Sequence, residues 1–192
     1  MKQAERRQIK KNEIMEKSFE RFCEGGLNDT GIRALAESCG MTSAMLYFYF
    51  DNLDQLIVES TEHCMTQVEE EFMAKAPHNL SEVKKFIDEI PYWTAKKHGK
   101  KYRFMYQVYT SPKYLESGKK FFERLSVRFT AYAEELTPVL GVPRETLQGM
   151  IYGFVRACVH FALFEDEDYL KLQTDLLWKV YTLAAKEGAE EK

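Results

Sequence analysis

The residues best placed for specific chemistry lie between Thr30 and Phe50, in TGIRALAESCGMTSAMLYFYF. Thr30 stands where a helix N-cap belongs, ahead of Ile32, Leu35 and Ala36. Gly40 ends that helix, because glycine enters the left-handed region at little steric cost. Thr42 caps a second helix after a turn of about three residues, and two short helices joined so tightly cross steeply. The crossing needs a small residue, which Ala36 supplies, with Met41 and Leu46 as apolar plugs beneath. The second helix presents Ser43, Ala44, Met45, Tyr47, Phe48 and Tyr49 outward or toward the backbone. This is a helix-turn-helix pattern, and its second helix has the size to enter a DNA major groove. The same pattern also suits a plain αα-hairpin within an all-α core, and the segment alone leaves both open.

Other chemistry finds little footing. His63 and Cys64 are adjacent and point to different faces of a helix, and Cys158 and His160 do not converge either. No nucleophile elbow, phosphate loop or HExxH is present in the sequence. The chain is therefore expected not to be an enzyme and to use no metal or cofactor. Glu165, Asp166, Glu167 and Asp168 are expected to start the last helix, where negative charge suits the helix dipole. Cys23, Cys39, Cys64 and Cys158 are scattered without a CxxC pair and read as reduced, buried thiols of a cytosolic protein.

The elements that must position these residues are helices. Apolar residues recur at spacings of three and four, as in Ile9, Ile14, Met15, Phe19, Phe22 and Cys23, closed by Gly25-Gly26. Further helices are expected at about 31–38, 43–50, 53–75, 81–98, 101–109, 114–140, 144–164 and 167–187, nine in all. Gly141 and Gly188 close two of them, and the tail AEEK is expected to be disordered. The 192 residues make one domain, or two small ones sharing a core. With 45% hydrophobic and 30% charged residues, disordered, collagen-like and repeat classes are excluded. The longest apolar run, Ala157 to Phe164, is too short for a membrane span and contains His160. No apolar stretch follows the basic start MKQAERRQIKK, so no secretory signal is expected. The net charge of −3 argues against wholesale polyanion binding, yet residues 1–12 carry +4 and residues 51–192 carry −4. A basic end on an acidic body suits a foot for phosphate, or a solvated helix start.

Residues 9–56 resemble the DNA-binding region of the TetR family of bacterial transcriptional regulators. The likeness rests on Thr30, Leu35-Ala36, Cys39-Gly40-Met41-Thr42, Leu46-Tyr47-Phe48-Tyr49-Phe50 and Leu56. By that resemblance Thr30, Thr42, Tyr47 and Tyr49 contact phosphates, while Ser43, Met45 and Phe48 face base edges. Arg33 sits near the backbone or the groove, and Phe50 packs in the core. Three positions depart from the family's pattern, which often has lysine where this chain has Ser43, glycine where it has Ala44, and lysine where it has Leu53. Phosphate charge is thereby lost from the head, and the basic arm before Ile9 is positioned to compensate.

The remainder is expected to form a sensor and a dimer. On the helix 144–164, Gly149, Gly153 and Ala157 form a small-residue stripe that lets a partner helix approach. Leu170, Gln173, Leu176, Leu177, Val180, Tyr181 and Ala184 form an amphipathic seam on the last helix, with Leu170, Gln173, Leu177, Val180 and Tyr181 as candidate interface residues. By the resemblance, these two helices make the dimer interface. Residues 92–132 hold 11 of the 26 aromatic side chains, many of them tyrosines, which suits a pocket with apolar walls and a few polar handles. Trp93, Tyr106, Tyr109, Phe129, Tyr152, Arg156 and His160 are the candidate effector-binding residues.

The expectation is thus an all-α protein. A three-helix helix-turn-helix DNA-binding head (1–52) precedes a helical ligand-binding and dimerisation body (53–192). By the resemblance it is expected to be a cytoplasmic homodimeric regulator, a repressor released from a palindromic double-stranded DNA operator by a small, largely apolar or aromatic effector, with no membrane partner. The alternative is an all-α dimeric interaction or sensor protein with little DNA binding.

Overall fold

The structure, a computed structural model, describes residues 3–28 and 30–190, the last six of these without their side chains. The described residues form eight helices and no strand. They are α1 (Gln3–Gly25), α2 (Ile32–Ser38), α3 (Ser43–Tyr47), α4 (Leu53–Met73), α5 (Leu80–Tyr109), α6 (Leu115–Leu140), α7 (Arg144–Phe164) and α8 (Glu167–Glu190). The fold is all-α as expected, with one helix fewer than nine. The expected break near Gly99 is absent and α5 runs through it. Gly99 serves a close approach instead, since a Cβ there would lie 3.1 Å from the Ala162 carbonyl oxygen. At the other end, α8 continues through Gly188 to Glu190, so Gly188 closes nothing. Residues 191 and 192 of the expected disordered tail lie outside the described residues.

The chain divides into two compact units, Met1–Phe72 with Lys100–Phe121, and Met73–Gly99 with Phe122–Lys192. Helices α5 and α6 each contribute to both. In the first unit, α1 buries Ile14, Met15, Phe19 and Phe22 at the helical spacing read from the sequence. Phe104 of α5 stacks on Phe22 at 5.1 Å and meets the edge of Phe19 at 5.6 Å. Aromatic pairs of this geometry add about 0.5–1.5 kcal/mol beyond the area they bury.

In the second unit, Tyr132, Ala133, Leu136, Leu140, Val142, Leu147 and Ala184 form one apolar cluster. Ala157, Phe161 and Leu170 form another. Helix α7, with a mean hydropathy of 1.3, is long and apolar enough to cross a membrane. The longest unbroken apolar run is shorter than this because Gln148 and Arg156 interrupt the helix. Within the unit, however, α7 buries Leu147, Phe154, Ala157, Cys158, Val159, Phe161 and Ala162. That is how a core helix spends its apolar face.

Gly118 of α6 marks a close contact with the end of α5 in the first unit. A Cβ there would lie 2.7 Å from the Tyr109 Cβ and 3.0 Å from its carbonyl oxygen, atoms that cannot rotate away. Alanine gains about 1 kcal/mol of helix propensity over glycine, whereas forcing an atom into a filled contact costs about 1–3 kcal/mol. Gly118→Ala is therefore expected to lower stability despite the better propensity, as measured by urea unfolding.

Candidate nucleic-acid interface

The exposed chemistry of the first unit is concentrated on α3. Helix α2 ends with Cys39 in the helical region and Gly40 at φ +67°, followed by two reversed hydrogen bonds. Gly40 N–H donates to the Glu37 carbonyl at 3.0 Å and Met41 N–H to the Ala36 carbonyl at 2.9 Å. This is a Schellman closure, and it needs glycine at the left-handed position. Thr42, in extended backbone, then accepts the Met45 N–H at 3.3 Å and caps α3. The glycine stop and threonine cap are thus where the sequence puts them. Helix α3 is shorter than expected, Ser43–Tyr47 rather than 43–50, with Phe48 as its C-cap.

Leu46 is fully buried and Phe50 nearly so, which plants α3 in the unit. Met45, Tyr47 and Phe48 are left 53%, 50% and 65% exposed. Three large apolar side chains on one turn and its cap are an unusual outlay for a surface facing only water. Ser43 and Tyr49 are partly exposed, and Thr42, Ala44 and Arg33 are exposed.

Thr30 does not cap α2. The N-cap of α2 is Gly31, in extended backbone and without a side-chain cap. Thr30 is buried, and its hydroxyl donates back to the Gly26 carbonyl at 3.1 Å. Its Oγ1 would lie 2.5 Å from a Cβ on Gly25, so that glycine is kept small by Thr30, while Gly26 takes the left-handed turn at φ +80°.

Four contacts that frame α3 have no local sequence signal or a faint one. Asn52 Oδ1 accepts the Gln55 N–H at 2.9 Å and caps α4, an Asn-x-x-Gln pattern that could have been read. Asp54, in the first turn of α4, accepts from both Lys113 Nζ and the Tyr114 hydroxyl at 2.6 Å. These two donors hold its carboxyl below the usual range. Glu16 of α1 accepts from Gln67 of α4 at 3.0 Å, with His63 at 3.3 Å, and its carboxyl is likewise held low. Arg7 of α1 reaches the Phe48 carbonyl at 3.3 Å. Burial pushes the thiols of Cys23 and Cys64 up to about 12, so neither is a nucleophile near neutral pH.

The candidate effector residues fall in both units. Tyr106 and Tyr109 belong to the first, where Tyr109 is buried against Phe121 at 5.3 Å. The other five belong to the second. There Phe129 and Tyr152 meet edge to face at 5.7 Å, and the Tyr152 hydroxyl bonds to Ser126 at 2.5 Å. Trp93 carries Lys75 and Lys97 over its ring and touches His98. His160 lies 3.3 Å from Asp166 and 4.1 Å from the Tyr169 ring, and Arg156 is exposed. The acidic run divides its labour: Glu165 ends α7 in the left-handed region, and Asp166 caps α8 by accepting the Tyr169 N–H at 2.9 Å.

The dimer candidates also divide. Ala157, Leu170 and Leu177 are buried within the chain itself, and Leu177 lies 3.8 Å from where a Gly153 Cβ would stand. Gln173, Val180 and Tyr181 are partly buried, and Gly149 is exposed. The outward stripe of α8 is Leu172, Leu176 and Leu183, exposed by 68%, 53% and 62%; Leu176 belongs to the expected seam, whereas Leu172 and Leu183 do not.

Residues 14–59 match the family model of the bacterial regulatory proteins, tetR family. Solved structures with this fold include a TetR transcription regulator from Haloarcula marismortui, with 13% identity over 92% of this chain and 98% of that one, at a TM-score of 0.64. The fatty acid degradation regulator FadR from Bacillus halodurans has 16% identity over 92% and 94%, at a TM-score of 0.58. A TetR family transcription regulator from Marinobacter aquaeolei has 14% identity over 92% and 97%, at a TM-score of 0.52. At such identities the structures share the fold. A comparison with curated protein sequences gives no match.

The Asp54 contact sets a pH dependence. A carboxyl held low in the folded state contributes stability above its ordinary range and loses it as pH falls through the folded value. Asp54→Asn is expected to lower stability near neutral pH. Its deficit relative to wild type should shrink as the pH of chemical unfolding is taken from about 6 to about 3. The effect is small, because the side chain is 46% exposed and screened.

Proposed function

We propose that this chain, a DNA-binding transcriptional regulator carrying the tetR-family segment over residues 14–59, is a homodimeric repressor. A small, largely apolar or aromatic effector releases it from a palindromic operator. The single observation that carries the proposal is the exposed Met45–Tyr47–Phe48 surface on a helix capped by Thr42 and anchored by Leu46. A short capped helix with its inner side planted and its outer side apolar suits major-groove contact, including contact with thymine methyls. Thr42, Tyr47 and Tyr49 are the phosphate-contacting residues, Ser43, Met45 and Phe48 the base-facing ones, and Arg33 lies near the backbone. The buried Thr30 supports the preceding turn instead. The head of residues 1–52 reads DNA, and residues 53–192 sense and dimerise.

The second copy is placed on the Leu172–Leu176–Leu183 stripe of α8 together with Gly149 of α7. Isologous two-fold pairing is the commonest way to cover such a stripe, and it matches a palindromic site. The aromatic side chains of the second unit, and a fold shared with a regulator of fatty acid degradation, favour an apolar effector. Effector and operator couple by population shift, because each binds the two conformations with different affinity. Such a role places the protein in the cytoplasm and needs no catalysis.

Selection of bound sequences from random duplex DNA at about 100 mM salt, where phosphate contacts still count, tests this directly. Wild type is expected to enrich a palindrome. Leu176→Asp, monomeric by sedimentation, is expected to enrich none. A well-folded dimer that enriches nothing would support the interaction-protein alternative, for which the absence of lysine at Ser43 and Leu53 speaks.

A further inference from the structure

A one-turn helix leaves its last carbonyls without helical partners. At the end of α3, the Phe48 carbonyl is met from 41 residues away by Arg7, whose Nη2 donates at 3.3 Å. The same guanidinium lies over the Phe48 ring, 5.0 Å from its centroid. The Tyr49 ring meets Phe48 edge to face at 5.3 Å. Phe48 is therefore held at its backbone, on one ring face and at one edge, and is still 65% exposed. Beside it lies a cleft of about 600 Å³ whose lining includes Gln3, Arg7, Gln8, Phe48 and Tyr49. Lys11, also at this cleft, is engaged differently, paired with Glu59 at 2.6 Å and lying over Phe50.

A charge wanted only for phosphate would be served by any cation on this exposed turn. The double contact is particular to arginine, whose planar fork can stack on a ring while donating in its plane, whereas lysine is a point charge. Orienting an exposed aromatic before it binds removes rotamer entropy that would otherwise be lost on binding.

Resting on the proposal that α3 reads DNA, we infer that Arg7 is a positioning residue for base recognition. By lying over the Phe48 ring and bonding to its carbonyl, it sets the angle at which that ring meets the base edges. Arg7 thereby determines sequence preference as well as attraction to the backbone. The chemistry at the contacted base is apolar, a thymine methyl being the group an aromatic ring reads in the major groove.

The test compares wild type, Arg7→Lys, Arg7→Met, Phe48→Ala and the Arg7→Lys/Phe48→Ala double variant. Each is titrated across salt on the duplex that wild type enriches and on a scrambled duplex. Circular dichroism and Tm confirm that each variant folds, which the exposure of both side chains favours. Arg7→Lys is expected to bind scrambled DNA like wild type, with the same salt slope, and to lose about tenfold of its preference for the selected duplex. Phe48→Ala should lose as much, and the double variant no more than Phe48→Ala alone, because the two residues act as one unit. An Arg7→Lys protein with full preference overturns the inference. So does an Arg7→Met protein weakened equally on both duplexes with a salt slope lower by about one, the signature of a plain phosphate contact. A wild type that enriches no sequence overturns the DNA-binding proposal itself, a result distinct from either of these.

Discussion

A helix of five residues cannot sustain itself in water, because nucleation costs more than its few hydrogen bonds return. Helix α3 stands because Leu46 is fully buried beneath it and Phe50 just beyond it. Its two ends are fixed by the Gly40 closure with the Thr42 cap and by the Arg7 contact with Phe48. That anchorage lets Met45, Tyr47 and Phe48 stay in solvent without collapsing onto the core. The remaining contacts of the first unit hold the same frame. Glu16 with Gln67 ties α1 to α4, Asp54 with Lys113 and Tyr114 ties α4 to the turn before α6, and Phe104 closes over Phe19 and Phe22.

What was legible in the sequence is what local backbone chemistry decides. Gly40 and Thr42 were readable because a left-handed stop and an extended cap depend on a few neighbouring residues. Helical spacing likewise gave Ile14, Met15, Phe19 and Phe22 on the buried side of α1, though not Ile9, which is exposed, and the limits of α7. Residues whose partners are distant in sequence are not legible in this way. Thr30 has the residue type of an N-cap, but its hydroxyl turns back to Gly26 and Gly31 takes the cap position. Gly99 resembles a stop, yet it answers to the Ala162 carbonyl. Arg7 and Phe48 meet through the fold, and nothing in either neighbourhood announces it.

Helix α8 shows a different limit. It has two apolar stripes, and periodicity does not say which one faces inward. Leu170, Leu177 and Ala184 are buried, while Leu172, Leu176 and Leu183 are exposed. Of the candidate interface residues on α8, Leu170 and Leu177 lie on the stripe that the chain covers itself, whereas Gln173, Val180 and Tyr181 are only partly buried. The effector residues met the same difficulty, because aromatic density locates a region of the chain without saying which rings line a space and which fill one. Phe129 and Tyr109 are buried against neighbouring rings, whereas Trp93, Tyr152 and His160 keep part of their surface.

The central claim is that the surface held out by α3 is what meets DNA. Amide hydrogen exchange of the protein with and without its selected duplex tests it most directly. The account predicts new protection in residues 42–50 and in the first turns of α1, where the duplex covers Phe48 and its Arg7 clamp. Bound duplex that leaves those amides exchanging as in the free protein, with protection appearing elsewhere, would contradict it.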